Sequence, residues 1–414
     1  MTVGAFSEWR KLPVSLSELC INTTLRCGQS FRWHQIPDND EWRCVLYGHL
    51  VSLKQDPTHL YYRTYVNSNP LSASTNDSDA EDTTLAIIKH YFNLGSNLTS
   101  LYAQWSSSDP NFRKKASQFT GIRILRQDAW EALISFICSS NNNIARIGQM
   151  VEKLCVNYGV HVTGIDGRAY HDFPPPERLA EDGGVEAKLR SLGFGYRAKY
   201  ICQTAIIVAK QRESGWLNSL RNPEAPAFGV AEVDPREDEM PPEGRSGYRE
   251  AHQKLLELQG VGPKVADCVS LMGLGWGESV PVDTHVWQIA QRDYKFGKGS
   301  HKSLTKATYD AVGNHFRKLW GKEAGWAHSV LFTADLRTFS NRLVATTKQE
   351  KVNVNVKEEE VSGTKITATT TVTNVALKRA ADEDKIKLEP DDKKIRMTTE
   401  SATGSRRTSG RLRP

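Results

Sequence analysis

The 414-residue chain predicts an α+β fold, with an antiparallel sheet first and a larger helical part after it. Three observations lead there. Alternating apolar residues are confined to the early part of the chain, the spacing then turns helical, and beyond about residue 346 there is no Phe, Trp or Tyr.

The run from Trp42 through Cys44, Leu46 and His49 to Leu53, and the stretch 60–66, alternate as half-buried strands do. From about residue 83 the period is helical. Trp130, Leu133, Ile134, Ile137 and Cys138 form one apolar face, and Ile144, Ile147, Val151, Leu154 and Tyr158 form the next, which Gly159 ends. Helical patterns continue over 197–212, 248–258, 263–274, 284–293, 303–319 and 323–338. Stretches 70–82 and 222–247 read as surface loops, the second with five prolines and an acidic middle. These features divide the chain into a β-containing part over 1–120, a helical part over 121–345 with a disordered insertion at 222–247, and a disordered basic tail over 346–414.

Composition narrows the function. No apolar run is long enough for a membrane helix, and the first twenty residues lack the apolar core of a secretory signal. The seven cysteines are scattered and odd in number, with no CxxC pair. That pattern fits a reducing compartment and disfavours a disulfide framework, a cysteine-held metal or an iron–sulfur loop. The formal charge is +6, but residues 347–414 hold fifteen Lys/Arg against eleven Asp/Glu, so +4 of it lies in the tail. Nucleic-acid binding by the nearly neutral body must therefore come from local patches. Lys378-Arg379, Lys393-Lys394 and Arg406-Arg407 suit a nuclear-import address, and the segment 386–389 has the form of a sumoylation acceptor.

The most informative segment is Leu255-Leu256-Glu257-Leu258-Gln259-Gly260-Val261-Gly262-Pro263-Lys264-Val265-Ala266-Asp267-Cys268. An apolar helix runs into Gly-Val-Gly, and Pro263 suits the first turn of a second helix. The free N–H groups at that helix start can hold a phosphate, although an ordinary helical hairpin reads the same way. Lys264 falls in the first turn, where the helix dipole and partial burial favour a neutral, nucleophilic amine. A phosphate-binding lysine is the other reading. In Val280-Pro281-Val282-Asp283-Thr284-His285, Asp283 is placed to cap the next helix.

Here the chain resembles the helix–hairpin–helix DNA glycosylases, and within them the eukaryotic 8-oxoguanine DNA glycosylases. Five further segments carry the resemblance: Gly28-Gln29-Ser30-Phe31-Arg32-Trp33, Ser139-Ser140-Asn141-Asn142-Asn143-Ile144-Ala145-Arg146, Gly193-Phe194-Gly195-Tyr196-Arg197-Ala198, Ala290-Gln291-Arg292-Asp293-Tyr294, and Gly325-Trp326-Ala327-His328-Ser329-Val330-Leu331-Phe332. They are collinear over about residues 9–340; the tail and both loops lie outside. The resemblance implies an N-terminal antiparallel sheet domain packed on a helix–hairpin–helix glycosylase core, with the lesion pocket between helical subdomains.

It also implies roles. Asn141 and Arg146, helped by Arg197, would contact the cytosine left behind when the lesion is flipped out, and Tyr196 would wedge into the stack. Cys268 and Phe332 would sandwich the flipped base, with Met272 and Pro281 beside it. The Gly28 carbonyl would accept the hydrogen that oxidation adds to the imidazole ring of guanine. His328 stands where the vertebrate family has glutamine, so base preference is expected to shift or to vary with pH near the imidazole value of about 6.5. Lys264 would attack the sugar and form a Schiff base, with Asp283 stabilising the cationic sugar. His285, oriented by Asp335, would touch a phosphate, and Gly260, Val261 and Gly262 would hold another.

The leading expectation is therefore a monomeric base-excision repair enzyme that removes 8-oxoguanine opposite cytosine and nicks the strand by β-elimination. Its partner is duplex DNA containing oxidised guanine, with no metal or other cofactor and no membrane. A nuclear location is expected, with a mitochondrial fraction left open. Two alternatives stand beside it: a glycosylase for another damaged base, and a DNA-binding damage-recognition protein without chemistry.

Overall fold

Six of the eight strands form one antiparallel sheet in a computed structural model that describes residues 4–37, 39–66, 77–181, 183–231, 233, 240–297 and 303–339. Everything described lies in one compact unit, Met1–Asn355; the second, Val356–Pro414, and with it the predicted tail, its basic pairs and the segment 386–389, lies outside the described residues.

The strands are β1 (Ala5–Phe6), β2 (Arg10–Pro13), β3 (His34–Gln35), β4 (Trp42–Leu46), β5 (His49–Gln55) and β6 (His59–Val66). They run in the order β1-β6-β5-β4-β3, and β2 also pairs with β6. The register sets Trp42 opposite Leu53 and Val51 opposite Thr64. The alternating residues read from the sequence (Trp42, Cys44, Leu46, Leu53, Leu60 and Tyr62) do face one core, against which Ile87, Ile88 and Tyr91 pack. Yet β4 is buried at every position. Its second face is covered by a hairpin that the sequence reading missed, β7 (His161–Ile165) and β8 (Arg168–His171), whose Tyr170 packs with Val45 and Leu50. Arg43 on that face is neutralised by Glu41 at 2.6 Å and by Asp166 of the hairpin turn at 2.8 Å.

Ten helices of ten or more residues lie among the described residues. The first, α1 (Asp77–Tyr91), begins inside the stretch read as a loop; residues 67–76 lie outside the described residues. Next come α2 (Leu98–Ser108), α3 (Ala129–Cys138) and α4 (Ile144–Tyr158). Asp128 caps α3 by accepting from Trp130 and Glu131 N–H, each at 2.9 Å, and Asn143 caps α4. Then follow α5 (Arg197–Ile206), continued by a π-helical turn over Ile207–Gln211, and α6 (Ser246–Leu256), α7 (Pro263–Met272), α8 (Thr284–Tyr294), α9 (Lys306–Trp320) and α10 (Ala324–Asp335). Helices α3 and α7 pack in one apolar core that includes Leu133, Phe136, Val265 and Val269.

The segment 222–247 departs from the expected loose insertion at both ends. Asn222 N–H donates to the Leu274 carbonyl at 2.8 Å, and Phe228 stacks on Tyr47 with centroids 4.7 Å apart. Arg245 is held bidentately by the fully buried Glu278, both contacts at 2.9 Å. Prolines and an acidic composition hid these anchors because each is a single side chain without periodicity. Positions 232 and 234–239 lie outside the described residues.

Candidate active site

Helices α6 and α7 meet at Gly260-Val261-Gly262. Gly260 has φ +77°, and an added Cβ would lie 2.6 Å from the Tyr200 ring, so both backbone conformation and space require glycine. Gly262 is the N-cap of α7 and Pro263 opens its first turn. The second helix is fixed from below by Asp267, a buried carboxylate that accepts from Tyr248 Oη at 2.6 Å, from Ser279 Oγ at 2.8 Å and from Tyr309 Oη.

Lys264 projects from that first turn, half-buried. Its Nζ donates to Ser139 Oγ at 3.2 Å and lies 5.3 Å from the centre of the Phe136 ring. Its contacts are the neutral Ser139 hydroxyl, the Cys268 thiol and an aromatic face. Asp283 caps α8 as expected: Oδ1 accepts from Val286 N–H at 2.9 Å, which leaves Oδ2 turned toward His285 Nδ1 at 3.5 Å.

Lys264 and Asp283 line one cavity of about 60 Å³, together with Gly28, Cys268, Met272, Pro281, His328 and Phe332. Both residues expected to react and all six expected to hold the base thus come together there. Cys27, Gln29, Phe136, Val286, Ser329 and Thr333 complete the wall. Gly28 has φ +84°, and a Cβ there would also press on Ile144 at 3.0 Å. Its place in the wall is set by the next residue. Gln29 donates to the Arg123 carbonyl at 2.8 Å and accepts from Leu125 N–H at 3.0 Å. Arg32, in the same segment, is clamped by Glu131 of α3 at 2.7 and 2.9 Å. Burial pushes the Cys268 thiol up to about 11 while Lys264 pulls it down, so the sulfur meets the cavity as a neutral group.

His328 is corrected by its surroundings. It is 5% exposed, its ring stands 6.4 Å from that of Phe332 and 29° from parallel to it, and neither ring nitrogen has a side-chain or solvent-facing partner. Burial pushes its pKa down to about 4; Asp283 acts in the opposite sense and Lys264 in the same one. It is neutral throughout the physiological range, so the expected titration near 6.5 does not apply.

Of the remaining predicted residues, Asn141, Arg146, Tyr196 and His285 are exposed, whereas Arg197 and Val261 are buried. Asn141 sits at φ +48° in the turn between α3 and α4, with its side chain exposed. Its neighbours Asn142 and Asn143 are used by the turn itself, donating to the Cys138 carbonyl and capping α4. Arg146 is exposed on the first turn of α4. Tyr196, 46% exposed, donates from Oη to the Ser140 carbonyl at 3.1 Å. Arg197 is buried, with Nη2 on the Ser140 and Asn141 carbonyls and its guanidinium 4.5 Å from the Tyr196 ring centre. It braces the Asn141 turn instead of standing free. His285 is exposed beside Asp283 and edge-on to Phe332 at 6.1 Å. Asp335 does not orient it: that carboxylate pairs with Arg292 Nη1 at 2.8 Å. Sequence reasoning missed the roles of Ser139, Phe136 and Gln29; Ser139 and Gln29 lay in segments already singled out, beside Asn141 and Gly28, whereas nothing pointed to Phe136.

A hairpin-borne lysine facing a capping aspartate across a cavity, in a helical body flanked by a sheet, defines the class of helix–hairpin–helix base-excision DNA repair proteins. Residues 134–320 match the family described as HhH-GPD superfamily base excision DNA repair protein, and residues 11–133 that described as 8-oxoguanine DNA glycosylase, N-terminal domain. The chain is 37% identical over 380 residues to the N-glycosylase/DNA lyase of Saccharomyces cerevisiae, covering 86% of this chain and 94% of the relative. It is 36% identical over 335 residues to the Arabidopsis thaliana N-glycosylase/DNA lyase OGG1, covering 80% of each. A solved structure of MBOgg1 in complex with a low affinity DNA ligand superimposes with a TM-score of 0.60 at 26% identity, over 80% of this chain and 98% of that one. The chain belongs to the 8-oxoguanine N-glycosylase/DNA lyase family.

Proposed function

We propose that this base-excision repair enzyme, a DNA glycosylase and lyase, removes 8-oxoguanine paired with cytosine from duplex DNA, using Lys264 as nucleophile. The observation that carries the reading is the single cavity that Lys264 and Asp283 share with Gly28, Cys268, Met272, Pro281, His328 and Phe332.

The lesion nucleotide swings out of the stack at a cost of a few kcal/mol and its base enters between Cys268 and Phe332. The Gly28 carbonyl accepts the N–H that oxidation adds to the ring; guanine has a lone pair there and is refused. Met272 and Pro281 fill the sides, and neutral His328 offers one donor and one acceptor at the far edge. Outside, Asn141 and Arg146 address the widowed cytosine while Arg197 braces the Asn141 turn, Tyr196 fills the gap, and the amides of Gly260, Val261 and Gly262 and the His285 ring hold phosphates.

The Lys264 amine forms a bond to C1′ as the glycosidic bond breaks and the base departs with its electron pair. Asp283 Oδ2 faces the positive charge that develops on the sugar. The nitrogen then loses a proton and the sugar ring opens to a Schiff base. That cation acidifies C2′–H; its removal expels the 3′ phosphate and nicks the strand. The protein acts as a monomer on DNA in the nucleus. The basic pairs at 378–379 and 393–394 support that location, which a fluorescent fusion with both pairs replaced would test.

Borohydride should trap the wild-type protein on a duplex with 8-oxoguanine opposite cytosine, and less on the other three pairings. Lys264→Gln should lower trapping by about 10³-fold or more. Full trapping by that variant would refute the assignment, and equal excision of undamaged or alkylated purines would refute the substrate.

A further inference from the structure

Tyr196, Tyr200 and Thr204 follow one another at four-residue steps, so they stand along one face of α5 and its N-cap. Each touches something different. Tyr196 reaches the turn between α3 and α4, donating to the Ser140 carbonyl at 3.1 Å. Tyr200 meets Tyr196 edge to face, with centroids 5.7 Å apart and planes at 70°. Its ring also fills the space where Gly260 would carry a side chain, with Cδ2 2.6 Å from an added Cβ. One turn on, Thr204 Oγ1 donates to the Gln259 carbonyl at 3.0 Å. One helix face therefore joins the hairpin loop to the exposed ring of Tyr196.

We propose that Tyr200 is a positioning residue which couples the hairpin's hold on a DNA phosphate to the insertion of Tyr196 into the base stack. The inference rests on the function proposed above and adds a residue outside the cavity wall. Nearly half of the Tyr196 surface is open to solvent, so the ring depends on few neighbours for its angle: the Ser140 carbonyl at its hydroxyl, the Arg197 guanidinium 4.5 Å away, and the Tyr200 ring. Tyr200 is itself wedged against the glycine that sharpens the hairpin. A phosphate drawn onto the Gly260-Val261-Gly262 amides loads Tyr200, and Tyr200 cannot shift without turning Tyr196. Gly260 is thus required for the close approach of this ring as well as for its φ of +77°.

The test separates opening of the duplex from bond breaking. A 2-aminopurine beside 8-oxoguanine reports opening by stopped-flow fluorescence; borohydride trapping on a ready-made abasic site reports the lysine without any base to flip. Tyr200→Leu should slow opening and single-turnover excision together by about tenfold while leaving abasic-site trapping within about twofold of wild type. Tyr200→Phe, which keeps the ring, should restore the wild-type rate. Wild-type opening by Tyr200→Leu, an equal fall in abasic-site trapping, or failure of Tyr200→Phe to rescue would overturn the inference. Should Tyr200→Leu not fold, Thr204→Val loosens the other end of the same face and should slow opening by about threefold; opening at the wild-type rate would again overturn it. Absence of 8-oxoguanine excision by the wild-type protein would instead refute the parent function, since Tyr200 variants are compared with it.

Discussion

The cavity and the exposed rim around it use their side chains in opposite ways. In the cavity, Cys268 and Met272 are buried members of the main apolar core, and Asp283 already caps a helix. Each of these does a structural job as well as whatever the substrate requires. On the rim, Asn141, Arg146 and His285 are exposed and contribute little to the fold. A structural role is thus plain for these cavity residues and missing for these rim residues. Arg197 sits at the boundary, a buried cation whose terminal nitrogen serves two backbone carbonyls. Substitution should consequently disturb stability in one region and salt dependence in the other.

After the loss expected for Lys264→Gln, the largest effect is expected where a cavity residue's two jobs can be pulled apart. Asparagine caps helices as well as aspartate does, so Asp283→Asn should keep the bond to Val286 N–H and unfold within about 0.5 kcal/mol of wild type. It should nonetheless lower single-turnover excision by about 10²-fold, because the charge facing the sugar is gone. Equal losses of stability and rate would erase the distinction between cavity and rim.

A smaller effect comes from burial itself. The unfolded His328 binds a proton near pH 6.5, whereas the folded group holds off until about 4. The unfolded state therefore takes up more protons in that window, and stability falls as pH drops from 6.5 toward 4, by up to about 1.4 kcal/mol per pH unit for this group. His90, pushed down to about 4 by burial and then by Arg126 and Arg221, acts in the same sense. His328→Gln should flatten the slope of denaturant midpoint against pH in this range; an unchanged slope would mean that the imidazole is not buried neutral.

The smallest effect belongs to the rim. Arg146→Ala should change stability by less than about 0.5 kcal/mol while weakening duplex binding and lowering the preference for cytosine opposite the lesion. A slope of log affinity against log salt reduced by about 1, with that preference intact, would assign Arg146 to a phosphate instead.

The parts legible in the sequence were those governed by local rules. Helix periods located α3 to α10, and Gly-Val-Gly-Pro marked the hairpin, because both depend on neighbours a few positions away. Asp283 was legible as a cap for the same reason. Features made by distant partners were not. Nothing in 161–171 showed that it would cover the sheet, since a short half-exposed hairpin lacks a strong alternation. Arg245 looked like one charge among many until Glu278 was seen beside it. Asp335 was assigned to His285 through the family resemblance, yet its carboxylate pairs with Arg292. The neutrality of His328 comes first from burial, which residue identity does not disclose.

Gly28 and Lys264 enter the same cavity from opposite ends of the body. The bidentate contact of Arg32 with Glu131, and the bonds Gln29 makes to the strand-like stretch around Arg123, hold the early segment there. The early sheet leaves the ribosome first, but it cannot complete the pocket until the last helices have been made. A chain that ended before α10 would lack His328 and Phe332 and leave the cavity wall incomplete, however well the hairpin and the early segment were formed.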